Sequence, residues 1–244
     1  MFKTQALTLV IAIALSLPFA AEAHVGYGGR DFGSFDASGG SVTIANQAVS
    51  GNFGWADGLD ADFGDSHRVR AFRFSLTTDT MVTLSVSANA GATATSVGGL
   101  IPAFSIYEGL AHLAPLGADY DYSSATQAYL ASLGGVPKEG AFRAMNDWSM
   151  TNDAGDPLTN FLFRGYAADT DLNGVVTGSF SLAAGDYSVF IGGGNYISQL
   201  DATRPSYGLS ATLAVAAVPE PETYALLLSG LGLISVAARR RMKG

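Results

Sequence analysis

Apolar and polar residues alternate with a period of two in several stretches of the chain. In Arg70-Ala71-Phe72-Arg73-Phe74-Ser75-Leu76, the side chains of Phe72, Phe74 and Leu76 fall on one face. After Thr77-Thr78-Asp79, Val82, Leu84 and Val86 alternate with Thr83, Ser85 and Ser87. Phe104 and Ile106 continue the pattern. It returns in Val175 to Leu182, in Tyr187, Val189 and Ile191 after Ala183-Ala184-Gly185-Asp186, and in Tyr207, Leu209, Ala211, Leu213 and Val215. This periodicity predicts half-buried antiparallel strands. The two paired blocks, one after residue 70 and one after residue 175, read as the opening and closing hairpins of a β-sandwich, since two packed sheets bury such faces.

Between them, residues 111–170 are less regular. Ser123 or Ser124 is placed to cap a short helix through Leu133, with Gly134-Gly135 ending it, and a second helix is predicted over 138–150. This segment reads as an insertion crossing one end of the sandwich, where long loops carry binding functions. The fold class expected is therefore all-β: an antiparallel, jelly-roll-like sandwich with a partly helical insertion. The phrases "FRFSLTTDTMVTLSVSA" and "GSFSLAAGDYSVFIGG" are similar in pattern to bacterial jelly-roll and pre-peptidase-type domains. The chain has no internal repeat and no regular threonine array along it. Gly192-Gly193-Gly194-Asn195 follows a strand without the Lys-Ser/Thr of a phosphate loop, so it reads as a turn or bulge.

The two ends differ in kind from the middle. Lys3, the apolar run Leu7 to Phe19, and Ala21-Glu22-Ala23 have the charge, core and small-residue site of a secretory signal peptide cut after Ala23. Near the other end, Pro219-Glu220-Pro221 precedes an apolar run, Tyr224 to Ala238, and then Arg239-Arg240-Arg241-Met242-Lys243. As a helix that run covers roughly 22 Å at about 1.5 Å per residue. A bilayer core is about 30 Å thick, and snorkelling arginine stems supply part of the difference. The basic tail predicts a cytoplasmic end, which leaves Pro219-Glu220-Pro221 outside. The expected division is a signal peptide at 1–23, an exported domain at 24–217, and a sorting segment at 218–244 with a transmembrane helix at 224–238 and a basic tail at 239–244.

Triplet, apolar helix and arginine cluster together resemble the PEP-CTERM signal, which exosortases, membrane proteases of Gram-negative bacteria, recognise. The resemblance implies export, transient tethering to the inner membrane, cleavage near Pro219-Glu220-Pro221, and placement in the outer envelope or extracellular matrix. Phrases such as "HVGYGGRDFG" and "PAFSIYEGLAHL" resemble the central domains of uncharacterised PEP-CTERM proteins, which implies no activity.

Between residues 24 and 218 there are 18 acidic and eight basic side chains, a net charge of about −10. Such a surface disfavours nucleic acid and anionic lipid and suits cations, neutral glycans or solubility alone. With no cysteine, no disulfide or thiol chemistry is available, so stability must come from the core or from bound metal.

Candidate metal ligands fall in two loops. Asp169-Thr170-Asp171-Leu172-Asn173-Gly174 matches the first half of a calcium loop, with oxygen side chains at alternate positions and a glycine at the bend, although Phe180 stands where a bidentate Glu would be. The other reading is an Asp/Asn-rich turn. Asp57, Asp60, Asp62 and Asp65 crowd one glycine-bearing loop, where carboxylates repel unless solvated, ion-paired or metal-bound. Arg68 and Arg70 follow as neutralising partners. Cleavage after Ala23 would make His24 an amino-terminal copper chelate of the kind lytic polysaccharide monooxygenases use, with His67 or His112 as the second ligand. Trp55, Trp148 and the tyrosines at 107, 120, 122, 129 and 166 either stack on sugars or anchor core and loops. Within Asp119-Tyr120-Asp121-Tyr122, Tyr120 and Tyr122 are the best glycan-binding candidates.

No G-x-S-x-G, H-E-x-x-H or Cys/His arrangement occurs. The expectation is a non-enzymatic envelope or matrix protein, structural or adhesive, with calcium-dependent binding of extracellular polysaccharide. The alternative is a secreted polysaccharide-active enzyme using copper at His24 or paired carboxylates.

Overall fold

The structure, a computed structural model, describes residues 25–55, 63–111, 141–150, 159–200, 203–217, 228–231 and 234. The strands, in chain order, are β1 (Asp31–Phe35), β2 (Gly40–Ser50), β3 (Phe63–Asp65), β4 (Arg70–Leu76), β5 (Thr80–Ala88) and β6 (Pro102–Glu108). They continue with β7 (Ala141–Arg143), β8 (Trp148–Met150), β9 (Thr159–Ala168), β10 (Val175–Leu182), β11 (Gly185–Gly193) and β12 (Ser206–Val215). A six-stranded sheet in the order β1-β4-β11-β6-β9-β8 faces a four-stranded sheet in the order β10-β5-β12-β2, and β3 pairs with β7 beside them. All pairings are antiparallel except β1 with β4.

Every period-two stretch forms a strand, and its apolar face points where the alternation placed it. Phe72, Phe74 and Leu76 from one sheet meet Val82, Leu84 and Val86 from the other, joined by Phe104, Ile106, Val189, Ile191, Leu209 and Leu213. The two expected hairpins, however, are not hairpins. β4 lies in the six-stranded sheet and β5 in the four-stranded one, and β10 and β11 are split in the same way. Each block is an arch that crosses the core. β4 pairs with β11 and β5 with β10, so the arches stack on each other. Their turns are tied where the Ala184 amide donates to Asp79 at 2.9 Å.

The stretch read as irregular also differs. Residues 141–143 and 148–150 are strands rather than a helix, and β9 is a ten-residue strand of the main sheet. The helix proposed near residues 123–133 lies outside the described residues. So does most of the membrane span proposed at 224–238. Residues 228–231 and 234 are helical, and no helix among the described residues is long and apolar enough to cross a membrane.

Gly192 and Gly193 complete β11 instead of forming a turn. The reason is a close approach. Gly193 bridges Gly54 in parallel, its carbonyl accepts the Trp55 amide at 3.1 Å, and a Cβ on it would lie 2.5 Å from the Phe53 nitrogen. Backbone cannot rotate away as a side chain can. Gly193→Ala is expected to destabilise the domain by about 1–3 kcal/mol in denaturant unfolding. Gly28→Ala, where a Cβ meets nothing within 4 Å, should leave the midpoint unchanged.

Candidate functional site

The six-stranded sheet is buried on both sides. Its inner face packs on the four-stranded sheet. Its outer face carries a second apolar cluster built from Val25, Tyr27, Trp55, Tyr107, Trp148, Phe161 and Phe190. Of the aromatic rings proposed as a sugar-binding surface, Trp55, Tyr107 and Trp148 are therefore core. Tyr107 meets Trp148, Phe161, Phe163 and Phe190 edge to face at centroid distances of 5.6–6.3 Å. Of that set, Tyr166 is the one among the described residues that stays open to solvent, stacked on Trp55 at 5.5 Å. Tyr120, Tyr122 and Tyr129 lie outside the described residues.

Polar atoms in this outer cluster are bonded in chains. The Trp55 indole donates to Ser105 Oγ at 2.7 Å, and Ser105 donates to the Ala144 carbonyl. The Ala111 amide donates to the Tyr27 hydroxyl at 2.9 Å. Tyr27 in turn reaches Ser188 Oγ at 2.6 Å, and Ser188 donates to the Gly109 carbonyl at 2.6 Å. Burial raises the Tyr27 pKa above its ordinary value, against the smaller lowering from its hydrogen bonds and Arg73.

The four-stranded sheet is chemically different. Its strands contain no Asp, Glu, Lys, Arg or His. Its outward face is an array of hydroxyls assembled across strands. Thr177, Ser85, Thr212 and Thr43 stand in one register row, and Ser179, Thr83, Ala214 and Ser41 in the next. Neighbours are linked as Thr43–Thr212 at 2.8 Å, Thr83–Ser179 at 2.8 Å and Ser85–Thr177 at 2.9 Å. Rows of this kind repeat at about 4.8 Å across strands and about 7 Å along them. No sequence motif announces this surface. Its members are the polar half of each period-two stretch.

The predicted metal ligands divide between the described and undescribed residues. Asp57, Asp60 and Asp62 lie outside the described residues. Asp65 is buried at the end of β3, where it accepts the His67 amide at 3.0 Å and faces His67 Nδ1 at 3.2 Å and Arg68 Nε at 3.6 Å. In the other loop, Asp169 is buried and accepts the amides of Asn173 at 3.2 Å and Gly174 at 2.7 Å. Asn173 Oδ1 accepts the Val175 amide at 2.9 Å, and Asp171 is exposed. Leu172 and Gly174 take positive φ of 56° and 81° to allow this. Asp169 thus organises the turn with both carboxylate oxygens, each of which retains lone-pair capacity for a cation. Among the described residues, no three His, Asp or Glu side chains converge as a ready metal shell.

A pocket of about 280 Å³ opens beside the outer cluster, lined in part by Val25, Arg30, His67, Arg70, Ala71 and Phe190. Val25 follows the proposed amino-terminal His24, which itself lies outside the described residues, as does His112.

Residues 217–241 match the family model of the PEP-CTERM protein-sorting motif. No curated protein sequence matches the chain significantly. Among solved structures, it is similar to CorA, a surface-associated copper-binding protein of Methylomicrobium album BG8, at 13% identity and a TM-score of 0.42, covering 75% of this chain and 98% of that one. It is similar to the secreted protein MopE of Methylococcus capsulatus, in which an oxidised tryptophan facilitates copper binding, at 16% identity and a TM-score of 0.40, covering 77% and 86%. It also matches the pre-peptidase C-terminal domain of a Bacillus anthracis collagenase at 6% identity and a TM-score of 0.27, covering 75% and 93%.

Tyr27→Phe should cost about 1–3 kcal/mol in denaturant unfolding, because it strips a buried amide and a buried serine of one partner. Loss well below that range would mean that water replaces the hydroxyl.

Proposed function

We propose, from the PEP-CTERM sorting motif that this chain carries, that the β-sandwich is a non-catalytic adhesive module of the extracellular polysaccharide matrix. The motif marks the protein for export and for processing by an exosortase at the membrane. Anchoring through a helix at 224–238 fits the exposure of Leu228, Leu231 and Ile234, three apolar side chains on successive turns. Final residence in the outer envelope or matrix completes this reading.

One observation carries the adhesive role: the uncharged hydroxyl face of the four-stranded sheet. In a chain of net charge −8, a four-strand surface free of charge is a place where a neutral polymer approaches without stripping hydration from ions. Rows of donors and acceptors offer repeated weak contacts, which add along a polymer by avidity. Tyr166 on Trp55 supplies one exposed ring of the kind that stacks on sugars, and Tyr120 and Tyr122 belong to the same proposal. Thr212→Arg puts a charged stem in the middle of the central row. It is expected to weaken retention by the host's extracellular polysaccharide at least tenfold in affinity electrophoresis, with the melting temperature nearly unchanged. Unaltered retention would remove this face from the binding surface.

Calcium enters as an ion tightening the Asp169–Gly174 turn, through the carboxylate lone pairs that backbone amides leave and through Asp171. EDTA is then expected to lower the melting temperature, and Asp171→Asn to remove that sensitivity. A melt indifferent to EDTA would delete calcium from this reading.

A second reading, oxidative chemistry with copper at His24, has one observation in its favour: Val25 and His67 border the same pocket. Arg30 and Arg70 line it too, and two guanidiniums oppose a divalent cation. The adhesive reading therefore stands first.

A further inference from the structure

The charged side chains on the strands of the six-stranded sheet have partners, with one exception. Arg73 pairs with Asp31 at 2.6 Å, Arg164 pairs with Glu108, and Asp186 accepts Ser75 Oγ at 2.5 Å. Arg70, half-buried at the start of β4, has no hydrogen-bond or ion-pair partner among the described residues. It lines the pocket of about 280 Å³ together with Arg30, Ser66 and His67. Arg30 is held rigidly, but by neutral acceptors alone: the Ala71 carbonyl at 2.8 Å, the Gly26 carbonyl at 2.6 Å and Gln47 Oε1 at 3.3 Å. The nearby carboxylate, Asp65, faces His67 and Arg68.

Two guanidiniums thus share a concave site, with no carboxylate between them among the described residues. Burial lowers the pKa of both, and for Arg30 the charge of Arg70 lowers it further. In a chain with an excess of acids, none of the described acids pairs with either guanidinium. A planar oxyanion matches the fork geometry of guanidinium. The volume suits about one sugar ring, at the small end of ligand sites. Val25, Ala71 and Phe190 back the pocket and are nearly or wholly buried, and its volume is larger than a compact inorganic ion fills.

We propose that this pocket binds the carboxylate of a uronic acid unit, seated between Arg30 and Arg70, so that acidic polysaccharide is gripped here while neutral polymer lies on the hydroxyl face. This deepens the matrix-binding reading and rests on it for the polymer, although the monosaccharide test does not.

The test is titration of the purified full-length protein with glucuronate, glucose and inorganic phosphate, followed by calorimetry or ligand-observed NMR. Glucuronate is expected to bind, glucose not to bind, and salt to weaken the interaction. Arg70→Gln should weaken glucuronate at least tenfold while leaving the melting temperature and the retention by neutral polysaccharide unchanged. Arg70→Lys keeps the charge but not the fork and should fall between. No glucuronate binding, or binding indifferent to Arg70→Gln, overturns the proposal. Phosphate bound as tightly as glucuronate overturns the uronate assignment in favour of an inorganic oxyanion. If Thr212→Arg leaves polysaccharide retention intact while glucuronate still binds through Arg70, the adhesive face fails and the pocket stands.

Discussion

The architecture depends on two strands that are apolar on both sides. β6 and β11 lie side by side in the larger sheet, and nearly every residue in them is buried. A strand buried on one face needs one partner layer, whereas these need two. The four-stranded sheet covers the inner face. The outer face is covered largely by irregular chain, the segment at 25–30, the loop through Trp55 and the residues around Ala144, with Trp148 joining from the edge strand β8. Irregular backbone packed on a sheet brings unsatisfied amides and carbonyls with it, and those must be bonded. The chains through Tyr27, Ser188, Ser105 and Trp55 answer that requirement. They also explain why Ser105 and Ser188 are wholly buried in strands otherwise rich in apolar residues.

The distribution of charge follows from the same asymmetry. Charged side chains sit on the strands of the larger sheet, where loops and neighbouring strands supply partners. The smaller sheet has an outer face of hydroxyls, small residues, the β2 amides Asn46 and Gln47, and a few exposed apolar side chains. Exposed ion pairs such as Asp31–Arg73 add little stability. Their absence from the smaller sheet therefore costs the fold almost nothing and leaves a surface of different character. Both proposed binding features arise at the boundary between these regimes: an uncharged plane on one side, and on the other, beside the covered face, a cation that no described residue pairs with.

Much of the fold was legible because period-two alternation is a local property. Phe72, Phe74 and Leu76, or Val82, Leu84 and Val86, declare both a strand and its buried face. What alternation cannot say is which strand pairs with which. A hairpin and an arch have the same signature, two alternating runs around a short polar turn, and differ only in partners that lie far away in the chain. β9 was hidden by a bulge. Phe161 and Phe163 face outward, then Arg164 is an extra residue opposite β6, and the phase shifts so that Tyr166 returns to that face. Gly165 allows it with a φ of 153°. The short strands at 141–143 and 148–150 gave too few residues to show a period. Of the candidate sites, the turn at Asp169 was legible as a turn and the sorting motif as a motif. The hydroxyl face was not, because four separate segments contribute one column each. The pocket was not either, because nothing in the sequence tells that Arg73 finds an acid among the described residues and Arg70 does not.

The position of β12 has a consequence for how the molecule is made. It is the inner strand that joins β5 to β2, so the smaller sheet has no continuous middle until β12 is in place. It ends at Val215, and the sorting motif begins at residue 217. β4 must likewise wait for β11, more than a hundred residues downstream. Closure of such long-range pairings is slow and comes late. The sandwich is therefore completed only when almost the whole domain has been exported, by a strand with scarcely any slack between it and the sorting motif. A chain that stalls earlier presents an open sheet and lacks the sorting motif.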